Sequence, residues 1–192
     1  VFGGQGDDVI AATGELNAIY SGDGDDIALV GGNDNRGFTD DGNDVVAMTG
    51  KLNLAYLGDG ADIALALSNQ SYIRSGGGDD IIMGFGIKNN FSGGSGDDLI
   101  IAVGAENEVV GGSGNDFLIA LGAQNTFRMG DGVDYIVNLG YANIQYFGSG
   151  RDILRAGGAG NTLFGDDDDD TVIGLLEGEN NINYAGSGDD AL

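Results

Sequence analysis

The chain has 192 residues, 39 of them Gly, with no Pro, Cys, His or Trp, and its 31 acidic against 7 basic residues give a formal charge of −24. That charge repels phosphate backbones and sets nucleic acid aside as a partner. Absence of Cys removes disulfides and thiolate metal sites, and absence of His removes the usual general base and the commonest transition-metal ligand.

An apolar content of 41% is enough for a core, and no apolar run approaches the roughly 18 residues of a membrane-spanning helix. Gly this abundant without Pro, and without a three-residue period, excludes collagen. The chain opens at Val1 without a signal peptide and closes in mid-repeat, so it reads as an uncapped length of a longer array.

Along the chain, Asp recurs every eighteen residues, at Asp8, Asp26, Asp44, Asp62, Asp80, Asp98, Asp116, Asp134, Asp152 and Asp170, and then after twenty at Asp190. Gly stands two residues before each except at Asp168. Every period divides into two nines. The first half reads Gly3-Gly4-Gln5-Gly6-Asp7-Asp8-Val9-Ile10-Ala11. The second begins Ala12-Thr13-Gly14-Glu15-Leu16-Asn17, and its Gly and Asn columns recur down the chain to Gly178 and Asn181, with Ser68 and Ser71 as the exceptions.

Gly at this density disfavours helix by about 1 kcal/mol per residue. Gly-rich turns alternating with short β-branched runs predict two strands and two turns per coil, the Gly pairs lying in the turns. Equivalent positions then stack at roughly 4.8 Å. The predicted fold is all-β: a right-handed parallel β-roll or β-helix solenoid of about 18 residues per coil and roughly ten coils. It forms one continuous array over residues 1–192, with an irregular coil and an insertion around 165–184.

The Asp file is the candidate metal site, with calcium as its ion. Ten adjacent carboxylate pairs at that spacing repel by about 1 kcal/mol each in water and about 3–4 at an effective dielectric near 20, which rivals a domain's whole stability. Divalent cations reverse the sign, and calcium accepts six to eight hard oxygens. The plainer reading is that each carboxylate closes its own Gly turn through backbone N–H groups. Val133 and Arg151, just before aligned Asp residues, weaken their coils as sites, and Arg151 offers its own charge in place of a metal. The Asn column is read as a structural ladder of side-chain amides.

The nonapeptides Gly3–Ala11, Gly93–Ile101 and Gly111–Ile119 resemble the repeats-in-toxin (RTX) family. The alternation in Gly50-Lys51-Leu52-Asn53 and Gly58-Asp59-Gly60-Ala61-Asp62 is similar to the repeat arrays of its multifunctional autoprocessing (MARTX) subgroup. The resemblance implies a non-enzymatic, calcium-binding segment of a secreted bacterial toxin that folds outside the cell, its partners being calcium ions, other segments of a parent toxin or another copy. It departs from a standard RTX roll in carrying the Gly-Asp motif only in alternate nonapeptides, which puts metal on one edge alone.

In each Gly-Asp half the penultimate residue (Ile10, Ile82, Ile100 and their equivalents) is expected to point inward. Its apolar neighbours then form an exposed patch of roughly 500 Å² or more. That face carries the second reading, a self-assembling or host-membrane-engaging translocation element; an adhesin or ice-binding stalk is a third. In the other strand an aromatic column (Tyr20, Phe38, Tyr56, Tyr146, Phe164, Tyr184) gives way between Arg74 and Arg128 while the preceding position gains Ile73, Phe91, Val109 and Phe127. This reads as an exchange of which side chain fills the core.

Overall fold

The computed structural model describes residues 1–166, 168–175 and 180–191. These residues form 21 strands, numbered in chain order from β1 (Phe2–Gln5) to β21 (Ile182–Gly186), and no helix. Odd-numbered strands build one parallel sheet of 11 and even-numbered strands a second of 10, each in unbroken sequence order. Two strands therefore make one coil, and the sheets face each other across the core. In the coil opened by Asp80 these are β10 (Ile81–Ile87) and β11 (Asn90–Ser95). The next coil supplies β12 (Leu99–Ala105) and β13 (Glu108–Ser113), with Ile82 beside Ile100 and Phe91 beside Val109. The eighteen-residue period is thus the register itself, and the chain is a β-solenoid.

Alternation along the strands decides what is inside. Each coil from that of Asp26 to that of Asp152 buries six positions: the aligned Asp, two residues of the even strand, the Asn, and two residues of the odd strand. In one coil these are Asp98, Ile100, Ala102, Asn107, Val109 and Gly111. Apolar side chains fill the middle, and the Asp and Asn files close the two edges. Volume is balanced within a coil. Phe91 is fully buried because Gly84 faces it, and a Cβ at Gly84 would fall on the Phe91 ring.

Three expectations need correcting. First, the Gly pairs are not turn residues: Gly93 and Gly94 lie inside β11, and the turns fall at Gly96-Asp97-Asp98 and at Glu106-Asn107. Glycine is required inside the strand by close stacking. Gly112 has φ +136, and a Cβ there would fall on the carbonyl oxygen of Gly94 in the preceding coil. Second, the aromatic column never exchanges with the core. Ile73, Phe91, Val109 and Phe127 are buried, but so are Ile19, Gly37, Ala55 and Gln145 at the same position in the aromatic coils. The pleat keeps one phase throughout, and the aromatics stack outside, with ring centroids 4.9 Å apart for Tyr20–Phe38 and 4.8 Å for Tyr146–Phe164.

Third, the Asn ladder is joined mainly through backbone. The N–H of Asn89 donates to Oδ1 of Asn107 at 2.9 Å, while Nδ2 of Asn107 donates to the Gly86 carbonyl of the coil before at 3.1 Å. Within the ladder, amide-to-amide bonds join Asn17 to Asn35 and Asn125 to Asn143. The expected insertion shows in the register. Leu175 still pairs with Gly157, eighteen back, whereas Ile182 pairs with Thr162, twenty back. Gly178, placed in the Gly column by sequence, lies outside the described residues.

Candidate cation-binding edge

One edge of the solenoid carries the aligned Asp residues, each placed by the turn between an odd strand and the following even strand. From Asp26 to Asp170 every one is buried; Asp8 and Asp190, in the end coils, are partly exposed. They form a single continuous file. The backbone N–H of each Asp donates to Oδ1 of the Asp one coil later, from Asp8 to Asp26 at 2.7 Å through Asp98 to Asp116 at 2.9 Å to Asp170 with Asp190 at 3.0 Å. The plain reading of the motif is thus modified: the carboxylate secures a neighbouring coil's turn rather than its own.

The second oxygen is the unusual atom. Oδ2 of Asp26, Asp44, Asp62, Asp80, Asp98, Asp116, Asp134, Asp152 and Asp170 is buried without a hydrogen-bond partner. At Gly111 an added Cβ would crowd both Asp116 Oδ2 and the Met129 carbonyl oxygen, and at Gly93 both Asp98 Oδ2 and the Gly111 carbonyl oxygen. Two acceptors therefore converge with no donor between them. Gly3, Gly93 and Gly111, the first residues of the clearest nonapeptides, and Gly165 are where this cradle is bare of side chain, whereas the buried Leu57, Met129 and Phe147 fill the equivalent position in the coils of Asp62, Asp134 and Asp152. In the coils of Asp44 and Asp80 the equivalent positions are Thr39 and Ser75, whose hydroxyls donate to backbone carbonyls at 2.8 Å and lie close enough to the carboxyls to offset part of the rise that burial causes.

Burial is the main force on these carboxyls. Loss of water, with repulsion from neighbouring file members, pushes Asp62, Asp98 and Asp116 up to about 7 and Asp152 to about 8, against the stabilising backbone N–H bond. Asp134 rises to about 6, and Asp44, Asp80 and Asp170 are raised by the same desolvation.

A second file, which the sequence reading noticed only through Val133 and Arg151, lies just outside the first. Asp7, Asp25, Asp79 and Asp97 are exposed on the rim or nearly so, and their Oδ1 atoms accept backbone N–H groups from the following coil, as Asp79 does from Asp97 at 2.8 Å. Asn43 and Asn115 continue the same pattern. Inner and outer files run in opposite senses, so where an Asp or Asn stands on the rim of the preceding coil both N–H groups of a turn are satisfied from opposite directions. Arg151 points to this rim and pairs with Asp169 of the next coil at 2.6 Å. The Asp189 N–H, then Arg151, hold the Asp169 carboxyl below its ordinary value. In the segment Asp166–Asp170, Asp170 keeps its place in the inner file and Asp168 accepts the Gly150 N–H at 3.0 Å, while Asp167 lies outside the described residues.

For a hard cation the donors are right in kind, since carboxylate and carbonyl oxygens are what calcium takes. Their number at one cradle is below the six to eight that calcium prefers, and among the described residues no three acidic side chains converge on a single point. Rim carboxylates and water would have to supply the remainder. No family description, curated protein or solved structure gives a significant match to this chain.

Proposed function

We propose that the chain is a non-enzymatic, calcium-stabilised repeat segment of a secreted bacterial toxin of the RTX type. The observation that carries this reading is the file of buried carboxylates whose Oδ2 atoms have no hydrogen-bond partner and which, at Asp98, Asp116 and Asp170, face a backbone carbonyl across a bare glycine. An acceptor held against an acceptor in a water-poor site is costly, and each such orphan costs about 1–3 kcal/mol. Something positive must lie between them. A divalent cation shared along the edge neutralises inner and rim carboxylates together, and binding then drives folding, because the aligned file does not exist in the open chain. The resemblance of the Gly3, Gly93 and Gly111 nonapeptides to RTX repeats supports calcium as that cation and secretion as the setting.

A second occupant of the same atoms is the proton. Carboxyls raised to about 7 or 8 by burial are partly neutral near pH 7, and a neutral carboxyl donates to the facing carbonyl without any metal. Calorimetric titration of chelator-treated protein with calcium, at pH 8 and at pH 5, separates the two. The calcium reading expects several ions bound per chain at pH 8, with a large gain in strand signal by circular dichroism. No binding and an unchanged melting point at pH 8 would overturn it.

A further inference from the structure

The outer surface of the ten-stranded sheet serves none of the contacts described so far. Its outward positions are the first, third and fifth residues of each even strand. Across β8 (Ile63–Asn69), β10, β12, β14 (Phe117–Ala123) and β16 (Tyr135–Tyr141) all fifteen of these are apolar or aromatic and none is charged. Leu65, Met83, Ile101, Ile119 and Val137 make its central column, half-buried by their own neighbours, while Leu67, at 53% exposure, and Leu139, at 51%, stand free at one side. The patch ends at Arg155 on β18 (Ile153–Gly157) and at Thr49 on β6 (Val45–Lys51).

We propose that this face is a self-association surface on which a second copy of the chain packs, sheet against sheet, about a twofold axis. Area favours it. Five coils at about 4.8 Å and three outward columns about 6.6 Å apart give a flat footprint of about 480 Å². Adding the five flanking apolar residues of three further coils (Ile27, Leu29, Val45, Ala47 and Ile153) brings it to about 630 Å², inside the range of about 600–1,000 Å² that each partner of a specific interface buries. Shape favours it too. The face is ridged by columns whose side chains recur at the strand spacing, and a second copy, having the same rise, offers grooves at the same interval. Electrostatics does not oppose it at the contact, because the acidic files lie on the solenoid edge and not on this face. The interface is isologous, so the residue at the patch centre meets its own counterpart.

The chain has no cysteine, which makes Ile101→Cys a direct probe: under oxidation it forms a disulfide only between two copies. Sedimentation velocity over a wide concentration series tests the association itself. It is run both with calcium and at pH 5 without it, wherever circular dichroism reports the strand signal, so that failure of the calcium reading is seen separately. The expected result is a dimer whose dissociation constant rises at least about tenfold in Ile101→Glu and is unchanged in Val110→Glu, on the outer face of the other sheet. If Ile101→Glu loses strand signal, Leu121→Gln at the more exposed margin takes its place. A wild-type chain that stays monomeric throughout overturns the proposal, whether or not it floats with phosphatidylcholine vesicles, flotation assigning the face to a bilayer instead. A dimer indifferent to Ile101→Glu or Leu121→Gln overturns it as well.

Discussion

At Asp116 a single atom separates a strained site from a satisfied one. Oδ1 already accepts the Asp98 N–H at 2.9 Å, so Asp116→Asn retains that bond and turns Nδ2, a donor, toward the carbonyl that Oδ2 now faces. The Asn file on the opposite edge uses this arrangement, with Nδ2 of Asn125 on the Gly104 carbonyl at 3.2 Å. The metal-free variant is expected to gain about 1–2 kcal/mol, read as a rise of a few degrees in melting midpoint. In calcium the same variant should bind fewer ions by calorimetry, since a carboxylate has been lost. A variant unchanged in both measurements would remove Asp116 from the cation reading.

The same residues fix a pH dependence. Folded values of about 7 for Asp98 and Asp116 against an ordinary 3.8 mean that the folded chain binds protons which the unfolded chain releases. Their stabilising contribution is complete below about pH 4 and is lost as pH rises through about 7, continuing to about 8 for Asp152. Without calcium, the melting midpoint should therefore fall steadily between pH 5 and pH 8. With calcium bound the slope should flatten, because the ion holds the carboxylates ionised. A midpoint that climbs over that window in chelator contradicts the assignment.

At the scale of the strand, the restrictions come from how closely successive coils stack. Gly112→Ala places a methyl on the Gly94 carbonyl at a φ of +136 that L-residues avoid. It should cost about 2 kcal/mol or more in denaturant melts. Phe91→Ala empties the space beside Gly84 and should cost about 3–5 kcal/mol. Gly84→Ala, pressed against the same ring, should also destabilise, yet in the Phe91→Ala background it should be neutral or favourable. A double-mutant cycle that came out additive would show that the two do not share one space.

Alternation made these strands readable in part. Ile82 and Ile100 are inward as expected, and their apolar neighbours outward, because a period of two admits only one choice once the core side is known. In the second strand the outer aromatics suggest a swap of phase, whereas small or polar residues at Gly37, Ala55 and Gln145 stay inside. Volume missing at one position of a coil is filled from across it, as Val30 does opposite Gly37 and Phe91 does opposite Gly84. That trade passes between the two sheets and leaves no local mark on the strand itself.

On the scale of the molecule, each coil contacts only the coils before and after it, so stability is a sum over repeats and their interfaces. Deleting residues 99–116, one full period, should leave a shorter solenoid with the same strand content and a melt only slightly shifted. Deleting nine residues instead sets an Asp against an Asn file and puts a Gly-Asp turn on the wrong edge. That variant should lose strand signal across several coils. Equal tolerance of both deletions would mean that the two edges are interchangeable.

The sequence alone determined the repeat length, the parallel stacking and the alignment of the Asp residues, because an eighteen-residue period at strand spacing leaves each position only its own copies as neighbours. It did not determine which oxygen of each carboxylate is satisfied, where the strands begin within the nonapeptide, or that an outer file runs against the inner one. Those were decided when two sheets closed on each other. Only then do a neighbouring coil's N–H groups reach Oδ1 and leave Oδ2 facing a carbonyl, a relation between coils that no single repeat encodes.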